Sequence, residues 1–254
     1  MRARMRTSRP VSDPYPFSSS VPLCLCGDPL SPVIFTLMDI ASLLAGRRDD
    51  ACEDAVRIER LDGQSALLAL ADAVAVERGG DLASAFAVEL AIDAMRAMGE
   101  RKWRKRKAWE RMMRDIDARV ADQPQAGEAS LVAVAMRGAH VYGACVGRCA
   151  AWALARGVEQ DLAGLQDRSP LIGSGEAAGR FFETTIAGPD EDGRGGGALL
   201  LMTSGVWGHV DRKHLIDAAL RQSAENAVAR IEEVARWRFN GALAEDVGAV
   251  VVRR

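Results

Sequence analysis

The chain has 254 residues, of which 48% are apolar and 27% charged, the balance of a globular protein that folds in water. A net charge of −2 and a pI near 6.0 give no electrostatic ground for nucleic acid or a membrane as partner, and no apolar run approaches the roughly 18 residues of a membrane span. Five cysteines without a CxxC pair argue against a zinc site or a disulfide framework, and for a reduced, cytoplasmic setting.

Residues 1–37 are rich in Arg, Pro and Ser and carry no sustained helix or strand period. The VPLCLCG patch is too short and interrupted for a targeting signal. The expectation is a disordered extension, with Met38 as an alternative start, ahead of one folded domain over 38–254.

In that domain Val56 and Ile58 alternate with Arg57 and Glu59, and the Asp62-Gly63 pair that follows predicts a hairpin into a second strand, SALLALA. That apolar run stops on Asp72. Next, Leu82, Phe86 and Leu90, joined by Val88, Ile92 and Met95, give the 3.6 period of a helix with a broad apolar face. RKWRKRKAWERMMRDIDARVAD repeats the pattern with a narrower stripe, Trp109, Met112, Met113, Ile116 and Val120. Six of its first seven residues are basic, which a solvated helix start explains better than a nucleic-acid surface.

Three strand patterns follow, ASLVAVAMRG, AHVYGACVG and CAAWALARG, punctuated by Gly138 and Gly147. Residues 166–197 read mostly as loop, with Arg180–Ile186 as a short strand or helix and GPDEDGRGGG as a mobile surface segment. ALLLMTS is a buried strand. Two helices come next, with Asp211 and Ser223 where N-cap acceptors belong, and DVGAVVV closes the domain as a strand. Hairpin strands interrupted by paired helices predict an α+β class, an antiparallel two-sheet β-sandwich with a helix pair on each outer side.

Acids stand at or near strand ends: Glu53 and Asp54 before the first, Asp72 after the second, Glu245 and Asp246 before the last. Converging carboxylates must be solvated, protonated or neutralised by a cation, and oxygen ligands suit Mg²⁺ or Mn²⁺. On spacing alone these are ordinary turn residues.

Five segments in order resemble the PPM-type metal-dependent Ser/Thr protein phosphatases (protein phosphatase type 2C). GRRDDACEDAV resembles G-x-x-R-x-x-N-E-D-A, and ADAVAVERGGDLAS resembles A-D-G-M-G-G-H-x-G-G-E-x-A-S. GEASLVAVAMRGAHVYGACVGRCAAWALARG is similar to G-T-T-x-V-x-A-x…G-D-S-R-A-Y-L-x-R-x-G. LLLMTSGVWGHV resembles L-L-x-x-S-D-G-L-W-D-x-V, and EDVGAVVV resembles D-N-x-T-V-V-V-V. The resemblance implies the same layered sandwich. It implies metal-ligand positions at Glu53, Asp72, the Ala73 carbonyl and Glu245, with Asp54 supporting them.

The departures matter as much. Ser204 stands where the family has a ligand aspartate, Arg148 where it has an aspartate that helps bind a further ion, and Asp49 where it has a phosphate-binding arginine that Arg47 or Arg48 could replace. The implied expectation is one ion or none. It gives a weak or inactive pseudophosphatase that binds a phosphoprotein or regulatory protein partner, with Arg148 taking over the charge of a lost ion or turned outward into solvent. The alternative is a working Mg²⁺- or Mn²⁺-dependent protein Ser/Thr phosphatase, and a third reading is an assembly domain using Arg101–Lys107 as its contact. His140, His209 and His214 lack metal spacing, Cys145 and Cys149 read as core residues, and Ser204 is not in a G-x-S-x-G elbow.

Overall fold

The computed structural model describes residues 38–47, 51–74, 79–164, 170–189 and 196–254, all within one compact unit. The expectations for residues 1–37, for Arg48 and Asp49, and for most of GPDEDGRGGG lie outside them.

In chain order the elements are β1 (Asp39–Ala45), β2 (Ala55–Arg60), β3 (Ser65–Ala73), α1 (Gly80–Met98), α2 (Glu100–Trp103), α3 (Arg106–Ala121), β4 (Ala129–Arg137), β5 (His140–Val146), β6 (Ala150–Ala155), β7 (Val158–Asp161), β8 (Arg180–Thr185), β9 (Ala198–Met202), α4 (Ser204–Trp207), α5 (Arg212–Arg221), α6 (Ala224–Trp237) and β10 (Val247–Arg253). They form two antiparallel sheets in the orders β2-β3-β4-β5-β8 and β1-β10-β9-β6-β7. The α+β sandwich read from the sequence is the fold.

The period of two along each strand builds three cores. In β3, Ala66, Leu68 and Leu70 face the other sheet, while Leu67, Ala69 and Ala71 face α1 and α3. In β4, Val132, Val134 and Met136 point between the sheets and Leu131, Ala133 and Ala135 toward the helices. Leu199, Leu201, Val250 and Val252 complete the inter-sheet layer, and Leu200, Met202, Ala249 and Val251 meet α5 and α6. Because both faces of these strands are covered, they read as unbroken apolar runs. Each fully buried leucine contributes about 1.5–3 kcal/mol through area removed from water.

The structure corrects several local expectations. The 61–64 connection is a four-residue loop rather than a two-residue turn; the Asp62 carboxylate accepts the N–H groups of Gln64 and Ser65 at 2.7 and 2.6 Å and holds it shut. The basic helix is broken after Trp103. The Trp103 indole donates to the Met95 carbonyl (3.2 Å) and the Trp109 indole to the Trp103 carbonyl (2.7 Å), so two buried tryptophans satisfy the chain where it turns. Ser223 accepts the Asn226 N–H as a cap, at 3.3 Å, but Asp211 turns its carboxylate to Arg238 at 3.4 Å instead. β1 and β7 were not expected, Arg180–Thr185 is a strand, and Ser204 opens a short helix rather than ending a strand.

Candidate functional site

The strand parity that fills the inter-sheet layer also aims the acids. Asp72 continues the row Ala66, Leu68, Leu70, so its carboxylate points between the sheets where the sandwich opens. Ser130 is its cross-strand partner on β4. The opening is a cavity of about 620 Å³ lined by Arg47, Glu53, Asp54, Asp72, Ala73 and Ser130, and by Arg148, Leu171, Ser204, Glu245 and Asp246, among others. The six residues read as site candidates from the sequence thus share one cavity.

Asp54 is 6% exposed, and its Oδ2 is buried without a hydrogen-bond partner. Burial, and next the charge of Asp72, push its carboxyl up to about 8, against the opposing pull of the Thr203 hydroxyl. Asp72 is also raised by burial, while the Ser204 donors and then the Arg148 guanidinium pull it down. Its Oδ2 accepts the Ser204 backbone N–H at 2.8 Å, and the Ser204 hydroxyl reaches Glu245 Oε2 at 3.3 Å. Ser204 therefore stands between two carboxylates as a hydrogen-bond donor.

Glu53 is exposed at the rim, with its carbonyl held by the Ser84 hydroxyl. Ala73 ends β3 on the cavity wall. Glu245 is half exposed, with Oε1 3.7 Å from His209 Nε2. Sequence reasoning assigned no role to Asp246, which proves central: its two oxygens accept the N–H groups of Arg47 (2.7 Å) and Glu53 (2.6 Å), tying the segment before β2 to the start of β10. The Glu245-Asp246 pair was visible, but not its partners.

Arg148 lies in the turn between β5 and β6. Its N–H donates to Ser130 Oγ (3.0 Å), and its carbonyl accepts the Trp207 indole N–H (2.8 Å). Gly147 precedes it at φ 76, where a Cβ would stand 2.5 Å from Leu171 and 2.6 Å from Ser130 Oγ, so glycine alone lets this turn close. Arg148 is exposed and belongs to the cavity wall, and its charge bears on Asp72. The three described cysteines are free thiols. Burial pushes Cys52 and Cys145 up to about 12 and Cys149 well above its usual range, so none offers a thiolate.

Asp54 Oδ2 is an acidic oxygen without a partner, beside Asp72, and a divalent ion there would satisfy both. Ligands for a second ion are otherwise engaged: Asp246 on two backbone amides, Ser204 as a donor, and a guanidinium at 148. Among the described residues, no group of three or more His, Cys, Asp or Glu side chains is arranged to hold a metal ion. No helix among them is long and apolar enough to cross a membrane.

Comparison with solved structures gives the same sandwich in bacterial serine/threonine phosphatases. The catalytic domain of the phosphatase PstP, solved with two manganese ions, is 17% identical with a TM-score of 0.62, covering 85% of this chain and 98% of that one. Stp1 from Staphylococcus aureus is 13% identical with a TM-score of 0.65, covering 86% and 96%. MsPP from Mycobacterium smegmatis, in complex with cacodylate, is 20% identical with a TM-score of 0.62, covering 85% and 98%. No curated protein matches the sequence. The protein phosphatase 2C family profile matches residues 45–237.

Proposed function

The chain belongs to the protein phosphatase 2C family, and from that premise we propose that it is a weak or inactive member that binds a phosphorylated protein partner in its acid-and-arginine cavity. The observation that carries this reading is the position of Ser204. Where the resemblance calls for a ligand aspartate, the chain has a hydroxyl and an N–H that bond to Glu245 and Asp72.

The charge in the cavity sets how phosphate would be held. With Asp54 protonated near neutral pH, four other carboxylates share the cavity lining with Arg47 and Arg148. That balance repels a phosphate dianion. One divalent ion held by Asp72 and Asp54, with Glu53 at the rim, would displace the Asp54 proton, cut the excess to about one negative charge and give the phosphoryl oxygens a positive partner. Arg148, fixed at both its N–H and its carbonyl, would present its planar fork to those oxygens.

A second reading is a working metal-dependent phosphatase, favoured by the unpartnered Asp54 Oδ2 and by the PstP structure with its two manganese ions. The two readings separate on one assay of the full chain: Mn²⁺-dependent hydrolysis of an aryl phosphate and a phosphoserine peptide, with binding of the same peptide measured in parallel and Asp72→Asn as control. Binding without turnover is expected. Turnover that requires both Mn²⁺ and Asp72 would establish the second reading.

A further inference from the structure

Among the exposed large apolar side chains of the described residues, two connect to the cavity wall, Trp207 directly and Phe239 by way of His209. Trp207, at the end of α4, is 38% exposed and Phe239, just past α6, is 36% exposed. Trp207 donates its indole N–H to the carbonyl of Arg148. His209 Nε2 lies 3.7 Å from Glu245 Oε1, and its ring meets Phe239 edge-on with centroids 5.4 Å apart. Two residues of the cavity wall, Arg148 and Glu245, are thus each in contact with an aromatic side chain beyond it. Apolar area left in water at this point stabilises nothing in the fold.

We propose that Trp207, His209 and Phe239 form a ledge that seats an apolar side chain next to the phosphorylated residue, so that the ligand is a phosphopeptide with a large hydrophobic residue a few positions from its phosphoryl group. This rests on the phosphate-binding reading of the cavity and specifies its ligand. The charge of Arg148 and a ledge whose Trp207 is bonded to the same turn complement an anion and a hydrophobe joined by a short peptide. A free phosphate would use only the first. Aromatic side chains are enriched among the few residues that carry most of the binding energy in protein contacts, and removing such an anchor costs about tenfold or more in affinity. α4 holds Trp207 in place: Gly205 lies where a Cβ would be 1.9 Å from the Asp246 carbonyl, so the helix packs directly on the segment that carries Glu245.

The test compares two fluorescent phosphoserine peptides on the full chain with Mn²⁺, one with Phe and Leu flanking the phosphoserine and one with Gly and Ser, using inorganic phosphate as competitor. The hydrophobic peptide should bind about tenfold more tightly. Phe239→Ala should remove most of that difference while leaving the inhibition constant of phosphate unchanged, and Trp207→Phe, which loses the indole donor but keeps an apolar ring, should retain it in part. Circular dichroism and melting confirm that each variant folds. Equal affinity for the two peptides, or a difference that survives Phe239→Ala, overturns the ledge while leaving the phosphate site standing. If neither the peptides nor phosphate bind at millimolar Mn²⁺, the phosphate-binding reading fails and the ledge with it.

Discussion

Ser204 places its backbone N–H 2.8 Å from Asp72 Oδ2, closing across 132 positions of sequence the gap between the two sheets at the mouth of the sandwich. The bond supplies a donor to a carboxylate that burial would otherwise leave poorly solvated. Ser204→Asp adds a charge beside Asp72 and Glu245. Without metal, it should lower stability by about 1–3 kcal/mol, and saturating Mn²⁺ should recover the loss. Chemical unfolding with and without Mn²⁺ measures both arms, and a variant equally stable in either condition would show that residue 204 does not address a cation.

Arg148 lowers the pKa of Asp72 through its charge, so it occupies electrostatic space that a cation would otherwise take. Arg148→Asp should increase Mn²⁺ affinity, by about tenfold or more for a reversal of charge at this range, and should weaken phosphopeptide binding. Calorimetric titration of Mn²⁺ into wild type and variant decides it; unchanged or weaker metal binding would remove Arg148 from that role.

The Asp54 carboxyl sits at about 8 in the folded chain against 3.8 for its ordinary value. Between those two values the unfolded chain has lost the proton and the native one keeps it. The contribution of Asp54 to stability is therefore greatest at low pH and declines as pH rises from about 4 to 8. Asp54→Asn should flatten that decline in urea unfolding at pH 5 and pH 8 without metal. Mn²⁺ should counter the decline in wild type, since a cation on the carboxylate displaces the proton. A parallel loss of stability in the Asn variant would place the cause elsewhere.

Asp117 of α3 is 2% exposed and accepts three backbone N–H groups, from Gly173 (2.8 Å), Gly175 (3.1 Å) and Ala177 (2.9 Å). Its carboxylate shapes the loop after Leu171, a residue of the cavity wall. Asp117→Ala leaves those donors without their acceptor and should cost about 2–4 kcal/mol. Hydrogen exchange should accelerate at residues 173–177 well before the sheets respond. Protection there equal to that of wild type would assign the loop's order to other contacts.

Local patterns marked the acids of the cavity, while the roles given to them came from the family resemblance. Asp72 stood out as an acid ending an apolar strand, and strand parity alone sends it between the sheets. Glu53, Asp54 and Glu245 were marked as acids flanking other strands. What stayed hidden depends on distant partners. The two amides bound by Asp246 come from residues 199 and 193 positions away. β1 forms because β10 offers an edge to pair with, and its own sequence, DIASLLA, carries no clear alternation. β7, VEQD, is an exposed edge strand with nothing apolar to mark it beyond Val158. The break between α2 and α3 was masked by an unbroken helical period, and it exists because two tryptophan side chains supply the donors there.

The pairing of Asp39 with Arg253 through the β1–β10 register has a kinetic meaning. β10 lies between β1 and β9, so that sheet cannot be completed until the chain through residue 253 is free to enter it. As it leaves the ribosome, the chain can assemble the β2–β5 sheet with α1 and α3 from comparatively local contacts, but must then hold open an unfilled slot. Contacts spanning more than two hundred residues are slow to close. The start of β10 also brings Glu245 and Asp246 to the cavity, so the strand that closes the fold and the acids that finish the site arrive together. A nascent chain lacking them would expose the inter-sheet apolar layer, an aggregation-prone surface, and would lack two of the cavity's carboxylates.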